Sequence, residues 1–252
     1  MSIWYILLIL VTGVVAGFLN TVGGGGSLLT LPMLIFLGLP SAVANGTNRI
    51  ALMVQNIVAI TNFRRKGFFD WHLGLMLAVP AILGSIVGAH FAIALPDEIF
   101  NKILAIIMLL VLAAIIWRPD RSLEAAEENL QPNRRLVAML AFFLVGFYGG
   151  FIQAGVGFII IASLTLITGM SLVQINSLKV FVVAFYMLSS LLVFVISGKV
   201  DWALGLTLAV GNGIGAYLGS NFAVAKGDKW IRVVLVIAVL AMSAKLFGFT
   251  PF

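Results

Sequence analysis

Long apolar stretches separated by short polar breaks dominate this chain, and they fall into two sets of five. The first set covers residues 3–19, 27–37, 42–63, 73–94 and 99–117; the second covers 136–152, 158–167, 172–197, 203–225 and 231–247. An α-helix rises about 1.5 Å per residue, so about 20 residues are needed to cross the hydrocarbon of a bilayer. Three segments in each set meet that length. The second segment of each set is too short to span comfortably. The pattern predicts an all-α polytopic membrane protein with roughly eight to ten transmembrane helices. Both short segments follow a glycine-rich break, Gly23-Gly24-Gly25-Gly26 in the first set and Gly155-Val156-Gly157 in the second. Short, glycine-interrupted segments at matching positions in two halves point to a transporter binding site.

The two sets echo each other at a spacing of 131 residues. Gly24 and Gly26 fall on Gly155 and Gly157, Gly38 on Gly169, Asn45 on Asn176, and Gly67 on Gly198. Asp70-Trp71 falls on Asp201-Trp202, and Gly74, Gly84, Gly88 and Phe91 fall on Gly205, Gly215, Gly219 and Phe222. In so apolar a chain the Leu and Val matches carry little weight, and the rarer Asp-Trp pair and Asn carry most of it. The expected organisation is a first repeat over residues 1–117, a charged linker over 118–135 and a second repeat over 136–252, with the repeats inverted in the membrane.

Composition supports the membrane class and excludes others. Hydrophobic residues make up 62% of the 252 and charged residues only 10%, with a mean hydropathy of +1.16. That leaves too little polar surface for a soluble domain. There is no cysteine, hence no disulfide, thiol chemistry or Cys metal site. The net charge of +6 sits in short loops, where it acts as a topology signal rather than a nucleic-acid footprint. Arg64-Arg65-Lys66 is the densest basic cluster and is expected on the cytoplasmic side. The equivalent second-half loop keeps only Lys199. The following loops carry Asp97 and Glu98 in the first half, and Lys226, Lys229 and Arg232 in the second. The basic bias therefore swaps sides between the halves. Inversion needs an odd number of crossings per half: five, or three if the first two segments form a re-entrant hairpin. The N-terminal segment lacks a basic leader and reads as a retained helix. The five Trp residues, at 4, 71, 117, 202 and 230, sit at segment ends as an aromatic belt. Gly84 and Gly88, and Gly211, Gly215 and Gly219, suit close helix packing.

All nine acidic residues lie in loops or at segment ends. Proton relays, cation sites and intramembrane catalysis draw on buried carboxylates, so these functions are disfavoured, and no metal or cofactor is expected. Two basic residues do lie inside apolar segments: Arg49, in Asn45-Gly46-Thr47-Asn48-Arg49, and Lys179, in Asn176-Ser177-Leu178-Lys179. A bound anion would neutralise them. The alternative is that they snorkel to an interface or bond backbone carbonyls. Free N–H groups after the breaks, with Gly24, Gly25, Gly26 and Ser27 on one side and Gly155 and Gly157 on the other, can cradle an oxyanion. The alternative for these glycines is a tight turn or close packing. Asn20 and Gln153 flank the breaks as neutral donors, and Asn45, Asn48 and Asn176 complete the candidate set. Gln55 and Asn56 either line a path or bond between helices. His90 is the one intramembrane candidate for proton coupling, against a structural hydrogen-bonded role. No nucleotide-binding Gly-Lys-Ser/Thr follows the glycine run.

The chain resembles the sulfite exporter TauE/SafE family of membrane permeases. The resemblance rests on Ala16-Gly17-Phe18 followed by Gly23 to Ser27, Pro32 and the Ala44 to Asn48 stretch. It is echoed by Gly149-Gly150-Phe151, Gly155-Val156-Gly157 and Asn176 to Lys179. It implies a multi-pass plasma-membrane transporter of small sulfur-containing or organic anions, such as sulfite or a sulfonate. The expectation is a secondary transporter working by alternating access, with a small anion and the lipid bilayer as partners, a possible coupling ion and no nucleic acid. A homodimer is compatible with the sequence. An anion channel and, less favoured, a membrane enzyme acting on lipid phosphate are the alternatives.

Overall fold

The computed structural model describes residues 3–116, 132–168 and 170–246, and among these the regular structure is helical throughout. Most of the expected linker, together with Trp117 and Gly169, lies outside the described residues. The helices are α1 (Ile3–Val22), α2 (Ser27–Phe36), α3 (Ser41–Arg65), α4 (Trp71–Ala94), α5 (Asp97–Ile116), α6 (Pro132–Phe151), α7 (Val156–Thr168), α8 (Leu172–Ile196) and α9 (Trp202–Leu246). α9 is broken at Gly227 (φ 69°, ψ −169°), so its two pieces match the last two segments expected from the sequence. Among the described residues three helices, α1, α4 and α8, are both long and apolar enough to cross a membrane. α3 is as long as α8, but it buries Asn45, Asn48, Arg49, Gln55, Asn56 and Asn62, which lower its hydropathy.

The repeated Asp-Trp pair has a local cause. Asp70 is the N-cap of α4 and accepts from the Leu73 N–H at 3.1 Å; Asp201 accepts from the Leu204 N–H at the start of α9 at 3.0 Å. Each carboxylate thus satisfies one of the orphan amides of a helix start. The preceding helices end alike. The Gly67 N–H bonds Arg64 O (3.1 Å) and the Phe68 N–H bonds Phe63 O (3.1 Å), while Gly198 bonds Val195 O (3.0 Å) and Lys199 bonds Phe194 O (2.9 Å). Both are Schellman ends, and Gly67 (φ 79°) and Gly198 (φ 65°) hold the left-handed position each one requires.

α1 packs along the first part of α9, and α4 along α6. Backbones touch in these seams: a Cβ on Gly84 would lie 2.1 Å from Phe143 O, and one on Gly215 would lie 2.1 Å from Val14 O. Contact between apolar helices in lipid comes from such close approach. α3 and α8 cross at the centre and carry most of the buried polar groups.

Interhelix hydrogen bonds fix which ends share a face. The Asp201 N–H donates to Thr47 Oγ1 (2.8 Å) and the Ser41 N–H donates to Asp97 Oδ1 (3.0 Å), so α3, α5 and α9 begin on one face. Asn62 Nδ2 donates to Ser220 Oγ (2.6 Å) and Lys66 Nζ to Asn221 Oδ1 (2.5 Å), so α3 and the first part of α9 end on the other. The Leu172 N–H donates to Asp228 Oδ2 (3.1 Å), which puts the start of α8 on that second face as well. α1 runs parallel to α9, and α2 leads back to the start of α3, so α1 and α2 form a hairpin open to the first face. α6 runs parallel to α4, and α7 leads back to the start of α8, giving a hairpin open to the second face. Arg64, Arg65, Lys66, Lys226 and Lys229 all lie on the second face, which the positive-inside preference makes cytoplasmic.

Candidate functional site

The two hairpin tips meet inside the protein. A Cβ on Gly24 would stand 2.4 Å from Gly157 Cα, and one on Gly157 would stand 2.3 Å from Gly24 Cα, so the breaks cross backbone to backbone. Gly24 (φ 96°) and Gly155 (φ 74°) adopt conformations open to glycine. Gln153 (φ 67°) is the one non-glycine with positive φ among the described residues, and it sits in the second tip. Such a residue persists only where its surroundings over-determine it, and these cases cluster at functional sites.

Beside the crossing is a cavity with about 20 Å³ of space for the centre of a water-sized particle, enough for about one water. Asn20, Gly24, Ser27, Gln153, Gly157 and Lys179 from the sequence-derived set line it, together with Gln55, Asn56 and the apolar Leu52, Val156 and Val183. The polar lining is tied together. Asn20 Oδ1 accepts from the Ser27 N–H (3.2 Å), and Asn20 Nδ2 donates to Gln55 Oε1 (3.2 Å). Ser27 Oγ donates to Gln153 O (3.5 Å) and accepts from the Gly155 N–H (3.4 Å), linking one tip to the other. Gln153 Oε1 is buried and has no protein partner.

Lys179 and Arg49 are both buried, at 2% and 0% exposure, so neither snorkels. Lys179 Nζ donates to Asn20 O (2.9 Å), Thr21 O (3.1 Å) and Asn176 Oδ1 (2.6 Å). Asn176 Nδ2 in turn donates to Val22 O (2.9 Å). The ammonium thus binds carbonyls at the C-terminal end of α1, where the helix dipole is negative. Arg49 does the same for α6. Its Nη1 donates to Gly149 O (3.1 Å) and Ser190 Oγ (2.7 Å), and its Nη2 to Gly150 O (2.5 Å) and Asn45 Oδ1 (3.2 Å). Asn45 Nδ2 donates to Phe151 O (2.7 Å), and the guanidinium lies 4.7 Å from the Phe194 ring centroid. The carbonyl partners correspond at a spacing of 129, Asn20 to Gly149, Thr21 to Gly150 and Val22 to Phe151, two less than the 131 that relates the later segments. α1 and α6 therefore match with a two-residue shift, which a single constant spacing hides.

The two cations differ in what they face. Lys179 borders the cavity, whereas Arg49 lies outside its lining with all four Nη protons engaged by protein. Asn45 and Asn176 orient the cations, and Asn48 is buried away from the cavity with an unpartnered Oδ1. Gly25 and Gly26 serve the start of α2: their carbonyls accept from Leu28 and Leu29, and a Cβ on Gly26 would lie 2.0 Å from Ala16 O. His90 is exposed on α4, its Nδ1 2.8 Å from Ile86 O, and is not part of the cavity. Asn212 escaped the sequence reading. Its Nδ2 donates to Gln55 Oε1 (3.3 Å), and its Oδ1 is buried without a protein partner. Its signal was an Asn inside an apolar segment. Among the described residues no three His, Asp, Glu or Cys gather as a metal would need.

The family model described as "Sulfite exporter TauE/SafE" matches residues 9–246. A "Probable membrane transporter protein YfcA" of Escherichia coli K12 is 31% identical over 235 residues, covering 92% of this chain and 85% of its own. A "Probable membrane transporter protein" of Haemophilus influenzae is 29% identical over 234 residues, covering 93% and 91%. One from a Sinorhizobium species is 26% identical over 238 residues, covering 94% and 90%. No solved structure matches the chain.

Proposed function

The chain belongs to the sulfite exporter TauE/SafE family and is a multi-pass membrane transporter, and from that premise we propose that it carries a small sulfur-containing or organic oxyanion bound beside Lys179, where the hairpin tips cross. The observation that carries this reading is a buried ammonium on the cavity whose partners are all neutral. A buried charge without a counter-charge is costly in a membrane, and a bound anion supplies that counter-charge. The three ammonium protons are already taken, so Lys179 acts on the anion through its field. Orientation then falls to Gln153, Asn20, Asn56, Ser27 and the Gly157 amide. Arg49, with Asn45, braces the other tip and contacts no substrate; His90 takes no part in coupling.

The two halves, residues 1–117 and 136–252, act as inverted repeats joined by a cytoplasmic linker at 118–135. The echoed caps, the echoed Schellman ends and the hairpins opening to opposite faces support this. Rocking of one half against the other would open the cavity to each side in turn. The touching backbones of the two tips, beside a cavity with room for about one water, favour a carrier over an anion channel. With no nucleotide motif in the sequence, an ion gradient or the membrane potential drives transport.

A thermal-unfolding screen of the purified protein against sulfite, thiosulfate, sulfoacetate and acetate tests this. A ligand at about 100 times its Kd stabilises the folded state by about 2.7 kcal/mol. The expected result is a concentration-dependent shift with a sulfur oxyanion that Lys179→Gln abolishes. A shift that survives in Lys179→Gln would refute the site.

A further inference from the structure

Apart from the substrate cavity, the described residues of the cytoplasmic face include a positive patch. Arg64, Arg65 and Lys66 end α3, and Lys226 and Lys229 flank the break in α9; all five are exposed. Sequence separates the two groups by some 160 positions, and the fold joins them. The Asn62 to Ser220 and Lys66 to Asn221 hydrogen bonds clamp the end of α3 to the end of the first part of α9. Cations of both groups are thereby brought to one end of the α3–α9 seam, where their repulsion costs energy unless something compensates. No ion pair to these five cations is found among the described residues. The ion pair found among the described residues, Lys102 with Glu98 at 2.6 Å, lies on the opposite face. Asp70 and Asp228 lie near the patch, each accepting a helix-start N–H (Leu73 and Leu172), and their two charges leave the five cations in excess.

The depth of the patch indicates its occupant. Trp71 and Trp230 are exposed, Arg64 lies 5.4 Å from the Trp71 ring centroid, and Lys226 Nζ lies 5.7 Å from that of Trp230. Trp at helix ends marks the headgroup level of a bilayer. Five cations at that level, next to lipid-facing helices, match the phosphodiester of an anionic phospholipid, whose acyl chains can lie along α3 and α9. We infer that the α3–α9 junction is a binding site for the headgroup of an anionic phospholipid of the cytoplasmic leaflet. The site is independent of the transport cavity.

Native mass spectrometry of the purified protein with dioleoyl phosphatidylglycerol, dioleoyl phosphatidylcholine and inorganic phosphate tests this. The wild-type protein should retain phosphatidylglycerol about tenfold better than phosphatidylcholine or more. The exposed triple variant Arg65→Gln, Lys226→Gln, Lys229→Gln should lose that preference while unfolding at the same temperature in phosphatidylcholine. The double variant Lys102→Gln, Lys199→Gln on the opposite face should keep it. Equal retention of the two lipids by the wild type, or a preserved preference in the triple variant, would overturn the proposal. So would displacement of phosphatidylglycerol by millimolar phosphate, which would mark a site for soluble anions instead.

Discussion

Replacing Gly157 by Ala tests whether the two hairpin tips touch. The new methyl carbon would lie 2.3 Å from Gly24 Cα and 3.1 Å from Gly24 C and O. Non-bonded carbons rest at about 3.5–4.0 Å. The tips must therefore separate by about 1 Å, and since backbone faces backbone no rotamer can relieve the clash. Overpacking of this kind costs about 1–3 kcal/mol, and a rigid contact belongs at the top of that range. Two companion variants separate the causes. Gly38→Ala shares the positive φ (94°) of Gly24 but meets nothing within 4 Å, so it carries only the conformational cost of about 1–2 kcal/mol. Gly24→Ala carries both terms and should cost about 4–5 kcal/mol. Equilibrium unfolding in mixed micelles with increasing dodecyl sulfate, followed by tryptophan fluorescence, gives all three values. The expected order is Gly38→Ala, then Gly157→Ala, then Gly24→Ala, with the last near the sum of the first two. A Gly157→Ala protein as stable as Gly38→Ala would refute the contact between the tips.

Other expectations follow from the same geometry. Arg49→Ala leaves the α6 carbonyls without their donor and should cost about 1–3 kcal/mol for each acceptor left unsatisfied, whereas Lys179→Gln should abolish anion binding; anion binding retained in Lys179→Gln and lost in a folded Arg49→Lys would reverse the two roles. Asp70→Ala and Asp201→Ala should each cost about 1 kcal/mol in the same unfolding assay, because each removes one N-cap bond, and markedly unequal costs would argue against equivalent caps. The chain has no native cysteine. Ser27→Cys should thus be the sole thiol, modified slowly by a small methanethiosulfonate reagent and protected by the transported anion; modification unaffected by any transported anion would remove Ser27 from the site.

Much of the fold was legible in sequence because the physics there is local. Bilayer thickness turns apolar run length into helices, and residues 73–94 and 172–197 became α4 and α8 within a few positions. Glycine runs and Asp before an apolar run announce breaks and caps through backbone chemistry alone, which is why the 131-residue echo survives in divergent segments. The two-residue shift between α1 and α6 was hidden because the rare residue types of α1, Trp4 and Asn20, have no residue of the same type at the equivalent positions of α6. It became visible only through the carbonyls that Lys179 and Arg49 reach.

The sequence by itself determined the membrane class, the two-fold repetition, the places where helices break, and the presence of two cations without carboxylates. Tertiary structure alone decided what those cations face. Arg49 and Lys179 are equivalent in sequence logic, each near the start of a long central helix and each with an Asn about one turn earlier, Asn45 and Asn176. Yet the packing of α3 against α8 surrounds the guanidinium with acceptors and leaves the ammonium on a cavity. Burial, partner identity and leftover space are properties of surfaces brought together from distant parts of the chain, and no single stretch of sequence encodes them. The same holds for Lys66 and Lys226, ordinary loop charges in the sequence, which become one patch because α3 and α9 end side by side.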